Sequence, residues 1–186
     1  MKEQVQKMQL LGWTLVAVIL LTRTNHFGTS VRLPDATLAV LFLGGFMGLG
    51  VGWLVGAIAA AFAIDFYAIG FAGVSDYCMS WGYAGLIPTY AVVWWFGQYA
   101  SKRQNPMSLT TLLSTSIISL SIAFVMSNAF WYAFSDKVNM LPILEFSQRV
   151  AKYYIPYVGY AMFYLVATYF GHLAFNSLTQ KKTITN

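Results

Sequence analysis

Six apolar runs set the strongest limit on how this chain can fold: residues 10–21, 36–47, 49–64, 83–99, 109–134 and 155–178. The stretches between them are short, and only 9% of the 186 residues are charged. A soluble domain carries about 25%. With so little polar surface the exterior cannot face water all round, and lipid must cover most of it. The composition therefore predicts an all-α membrane protein. A single transmembrane domain over residues 1–186 is expected, because no repeat, linker or low-complexity tract divides the chain. The net charge of +5 implies no nucleic-acid partner, since the basic residues form no stripe.

The basic residues sit instead in small groups between the runs, where they can set topology. Several runs are shorter than the roughly 20 residues that cross a bilayer untilted, so their polar flanks must contribute. Residues 36–64 read either as one long helix or as two. Gly44, Gly45, Gly48, Gly50 and Gly52 gather where a break would fall. Charge chooses between the two. With six helices, Lys2, Lys7, Lys102, Arg103, Lys181 and Lys182 all face the cytoplasm; with five, Lys102 and Arg103 are exported. A six-transmembrane-helix bundle with both termini cytoplasmic is the expected arrangement. The first run follows Lys2 and Lys7 as in a signal peptide, but Thr22-Arg23-Thr24-Asn25 offers no small-residue cleavage pattern and the run reads as a retained helix. Gly48, Gly52 and Gly56, with Ala57 and Ala61, predict a small face on the third helix that admits a neighbouring backbone. The hydroxyls between Ser108 and Ser121 are expected to bond helix carbonyls or another helix.

This orientation leaves residues 22–35, 65–82 and 135–154 outside. They hold His26, Arg32, Asp35, Asp65, Asp76, Cys78, Asp136, Glu145 and Arg149, nearly every group able to coordinate, pair or titrate. Such a distribution suits a protein that captures something from outside. Cys78, in Ser75-Asp76-Tyr77-Cys78-Met79-Ser80, is the only cysteine, which excludes an intrachain disulfide. A lone cysteine ordinarily packs as a small hydrophobe. Its sharper reading is a soft axial ligand to a metal whose other ligands come from a macrocycle, since one sulfur cannot hold a bare ion. No Lys or Arg adjoins it in sequence, so nothing local favours a reactive thiolate before ligand arrives.

The remaining candidates each have a plain and a sharp reading. Asp65 ends an apolar run, where an acid is costly and by default marks function; a helix end reaching headgroup water is the plainer account. His26, in Asn25-His26-Phe27-Gly28, is a loop or capping residue, or an imidazole that meets a polar ligand. Arg149 is an interfacial anchor or a forked donor to an amide or phosphate. Trp81 and Tyr83 flank the Cys78 loop, and His172 lies at the opposite end from His26, which argues against a shared haem. The absence of a P-loop means that nucleotide-derived energy would have to come from another protein.

These residues resemble a family. A small six-helix membrane protein with a ligand-capturing outer face looks like the substrate-binding S-component of energy-coupling-factor (ECF) vitamin transporters. The details resemble its solitary cobalamin-specific branch, the BtuM family: Asn25-His26-Phe27-Gly28, Arg32-Leu33-Pro34-Asp35-Ala36, Asp65, the Cys78 loop and Trp81-Gly82-Tyr83-Ala84-Gly85. The resemblance covers essentially the whole chain, and the single cysteine before the fourth helix is its most specific element. It implies a bundle of the ECF S-component type in the bacterial inner membrane, with cobalamin (vitamin B12) held at the outer end. It further implies Cys78 as axial ligand of the corrin cobalt, with His26, Asp65, Tyr83 and Arg149 lining the pocket. Displacement of an upper axial cyanide by the Cys78 thiolate would add a weakly enzymatic step. The first helix reads Gly12-Trp13-Thr14-Leu15-Val16-Ala17, without the alanine pair often used to dock an ECF coupling module, in line with a solitary transporter. Two other readings stay open on the residues alone. One is an S-component for a thiamin- or riboflavin-like vitamin, which leaves Cys78 unexplained. The other is a membrane enzyme with Cys78 as nucleophile, which lacks an evident base beside the thiol.

Overall fold

A computed structural model of the protein describes residues 2–25, 33–77 and 79–184; side chains are not described for residues 2, 5, 24, 25 and 179–184. Among these residues the chain forms α1 (Lys2–Asn25), α2 (Thr37–Phe46), α3 (Val51–Phe71), a 3-10 turn (Trp81–Gly85), α4 (Leu86–Ser101), α5 (Leu109–Phe134), α6 (Ile143–Ala151) and α7 (Tyr154–Ile184). The described residues form no strand. Each apolar run carries a helix, and α6 is an addition inside the stretch expected to be the last outer loop. Three helices are long and apolar enough to cross a membrane: α3, α5 and the Tyr154–Leu178 part of α7. Large apolar side chains such as Trp13, Val55, Val125 and Phe163 point outward along the long helices, as lipid contact requires. The ten residues of α2 rise only about 15 Å, half of a hydrocarbon core.

The glycine cluster does break residues 36–64 in two. Met47 and Gly48 continue past α2, and Gly48 turns with φ +73°, a conformation that glycine adopts without a Cβ clash. Gly48 N–H donates to the Gly45 carbonyl and Leu49 N–H to the Gly44 carbonyl, both at 2.9 Å, so the last carbonyls of α2 are satisfied. α3 then starts at Val51 and runs beside α1 in the same direction. Trp53 fixes that pairing by donating its indole N–H to the Gly12 carbonyl at 3.0 Å.

α2 lies at the centre, packed on α1, α3, α4 and α7, with Leu41 and Phe42 fully buried. Its tightest neighbour is α4. A Cβ on Gly45 would fall 1.9 Å from the Trp94 carbonyl oxygen, and one on Gly97 would fall 2.0 Å from the Phe42 carbonyl oxygen. The two glycines face each other's backbones, so neither helix can accept a methyl there. Gly97→Ala is expected to lose about 1–3 kcal/mol of stability from overpacking, readable as a lowered unfolding midpoint in detergent.

The close crossing is thus at Gly45 and Gly97, not at the small face expected on α3. Ala57 and Ala61 are fully buried, but Gly48, Gly52 and Gly56 have open space where a Cβ would stand. They line a groove of about 910 Å³ with Gly12, Trp13 and Trp53. Several hydroxyls of α5 behave as expected: Thr115 bonds the Thr111 carbonyl at 2.6 Å, Ser116 bonds the Leu112 carbonyl, and Ser121 reaches Tyr154 of α7 at 2.8 Å. Ser119 does not, because its Oγ is buried without a partner.

Candidate functional site

Arg23, in the last turn of α1, is buried, and its guanidinium is the centre of a polar cluster. Nε donates to Asp65 Oδ1 at 2.7 Å and Nη2 to Asp65 Oδ2 at 2.5 Å, a two-pronged pairing across to α3. Nη1 donates to Asp35 Oδ2 at 2.9 Å and to Thr37 Oγ1 at 3.1 Å, at the start of α2. Asp35 in turn accepts from the Thr37 N–H at 2.9 Å and the Thr37 hydroxyl at 2.6 Å. Thr22 Oγ1 accepts the Ala36 N–H at 3.2 Å, so three bonds join the end of α1 to the start of α2. Geometry explains the choice of arginine. Only a planar fork with five donors can serve two carboxylates and a hydroxyl at once.

The same cluster holds the 3-10 turn. Tyr83 donates its hydroxyl to Asp65 Oδ2, and its ring lies 4.9 Å from that of Phe62 on α3. Gly82 and Gly85 allow this, because a Cβ on either would strike Phe130 of α5 at 2.7 and 2.2 Å. The turn can therefore lie flat on α5 and send Tyr83 inward while Trp81, 87% exposed, faces out. Two carboxylates against one guanidinium leave the cluster at 1 − 2 = −1. The Asp35 side chain, 34% exposed, is the more solvent-facing of the two acids; that of Asp65 is 11% exposed.

Asp65 and Tyr83 are thus brought into direct contact. Arg149 is not joined to them by any described bond: it lies on α6, 61% exposed, paired with Glu145 at 2.5 Å. α6 itself is anchored by Phe146, which packs on Trp131 and Tyr132 of α5 at 5.8 and 4.7 Å. His26, Arg32 and Cys78 lie outside the described residues. Both flanks of Cys78 are described, however. α3 closes when Val74 N–H reaches the Ala68 carbonyl at 3.2 Å, and Met79 N–H closes a tight turn on the Asp76 carbonyl at 2.7 Å.

Two groups at this end of the bundle carried no weight in the sequence. Arg23 ends an apolar run and its partners are 12 and 42 residues away. The buried acid on α3 was the only signal that such a partner was needed. Lys137 donates to the Tyr77 carbonyl at 3.0 Å, across 60 residues, with no local pattern to announce it. No group of three or more His, Cys, Asp or Glu side chains among the described residues is placed to hold a metal ion. The α1–α3 groove and a smaller cavity of about 250 Å³ near Met107 and His172 are lined by other residues than this cluster. No protein-family profile matches the chain, and no curated protein matches it.

Proposed function

We propose that this protein is a cobalamin transporter of the ECF S-component type, a six-span bundle of the bacterial inner membrane that captures its ligand at the outer face. The observation that carries this reading is the direct bond between Tyr83 and Asp65 at the end of the bundle where the Cys78 segment runs from α3 to the 3-10 turn. Those are two of the residues that the family resemblance assigns to the pocket, and they come from elements that no local sequence pattern pairs. In this reading Cys78 sulfur takes an axial position on the corrin cobalt, as a soft donor suits that centre. The amides at the corrin edge meet the net negative cluster, and the Tyr83 oxygen retains lone pairs to accept from them. His26 and Arg149 complete the pocket rim.

A titration of the purified protein with cobalamin and with a cobalt-free corrin tests this. Both are expected to bind, with cobalt adding about tenfold or more in affinity, the range of a strong polar contact. Failure of both corrins to bind sinks the reading. An isolated protein that carries a flavin-like absorbance instead would assign it to another vitamin.

A further inference from the structure

The short helix α6 is two-faced. Phe146, Val150, Ile143, Ser147, Ala151 and Leu144 follow one another round one side of it, an arc of about 160° at 3.6 residues per turn. Gln148, Glu145 and Arg149 take the other side. Ser147, the polar residue within the apolar arc, turns its hydroxyl onto the Ile143 carbonyl at 2.7 Å and so is satisfied without water. On the polar side Arg149 pairs with Glu145.

Protein covers one edge of the apolar arc, where Phe146 is buried against Trp131 and Tyr132 of α5. Beyond that edge Ile143 and Leu144 are 68% and 69% exposed, and Met140, just before the helix, is 89% exposed. Contiguous apolar surface of this kind marks a place of interaction. Two ties set the depth of α6. Near its start, the Tyr132 hydroxyl on α5 donates to the Leu141 carbonyl at 2.9 Å. At its end, the three residues from Ala151 to the first of α7 reach at most about 11 Å. α5 and α7 are both long and apolar enough to cross a membrane, so α6 is held at the level where these two helices end and begin. The lipid-facing surface continues through both joins, because Phe134 at the end of α5 and Ile155 in the first turn of α7 are exposed. Lys152 stands over the Tyr153 ring, 5.0 Å from its centroid, a pairing suited to headgroup level.

We propose that α6 is an interfacial helix that lies in the lipid headgroup layer, with Ile143 and Leu144 dipped into the acyl chains and Glu145, Gln148 and Arg149 turned away from them. Lipid is the partner because the exposed strip is continuous with the lipid-facing sides of α5 and α7 and is tethered at that depth from both ends. The inference does not depend on which ligand the protein carries.

The test uses the full-length protein in phosphatidylcholine vesicles, with Cys78→Ser so that one introduced cysteine carries each spin label. Ile143→Cys, Leu144→Cys and Gln148→Cys are compared with Phe163→Cys on α7, an exposed apolar position that gives the lipid reference. Collisions of each label with oxygen, which concentrates in lipid, and with a water-soluble nickel chelate are read by electron paramagnetic resonance. The labels at Ile143 and Leu144 should lie about 5–10 Å into the headgroup–acyl boundary, and the label at Gln148 should favour the nickel chelate. Labels at Ile143 and Leu144 that favour nickel as Gln148 does overturn the inference. So does shielding of both from oxygen and nickel alike, which marks a protein partner such as a second copy of the chain. A Phe163 label that favours nickel removes α7 from the lipid, and this inference falls with it.

Discussion

Arg23→Met should cost about 3–5 kcal/mol of stability, because it strands the buried Asp65 charge and frees the start of α2 at one stroke. The fork joins the last turn of α1, the approach to α2, α3 and, through Asp65, the 3-10 turn. Methionine keeps the length of the side chain and removes every donor. Arg23→Lys keeps the charge but offers a point donor that can reach one carboxylate well, so an intermediate loss is expected. The double variant Arg23→Met with Asp65→Leu should recover part of the loss, since a buried pair replaced by apolar groups often costs little. Unfolding in detergent followed by circular dichroism provides the measurement. A single variant within about 1 kcal/mol of the parent would reduce the cluster to an ordinary surface ion pair.

If the protein binds cobalamin as proposed, Cys78→Ser should abolish the altered corrin spectrum altogether. Serine is nearly the size of cysteine, but it replaces a soft, readily ionised donor with a hard hydroxyl that does not deprotonate at neutral pH. Metal binding draws off a thiol proton, so under the proposed function the parent would ligate as thiolate even where the free thiol is protonated. Removal of an upper axial cyanide by ligand exchange should disappear with the band, because no second cysteine can take over. The proposed contacts to the corrin edge would remain, so some binding should persist. The same bound spectrum in Cys78→Ser and parent would return Cys78 to a packed thiol.

Much of the helical layout was legible from local chemistry. The Gly44–Gly52 stretch announced a break, and Gly48 supplies the left-handed turn that makes one. The runs at 109–134 and 155–178 were long and apolar enough to mark α5 and α7 directly. α6 was missed because its nine residues, amphipathic rather than apolar throughout, give no long apolar run. Its signals were Pro142 before the first turn, Glu145 inside it and Arg149 in the last, which together suit a helix end to end. The site was half legible. Asp65 and Tyr83 could be named, but not their contact, because burial of the 3-10 turn on α5 depends on Gly82 and Gly85 meeting Phe130. Arg23 and Lys137 were out of reach for a different reason: each acts only through partners that folding brings from distant segments, and no spacing rule pairs them.

The shortness of α2 bears on what its flanking chain must do. One end of α2 is tied to the Arg23 cluster and the other stops at the Gly48 turn, which borders the α1–α3 groove. Set at membrane depth, its ten residues would cover only about 15 Å, half of the hydrocarbon thickness, so the chain on either side would have to cross the rest as irregular backbone. Such backbone is tolerated only where protein rather than lipid surrounds it, and α1, α3, α4 and α7 all pack on α2.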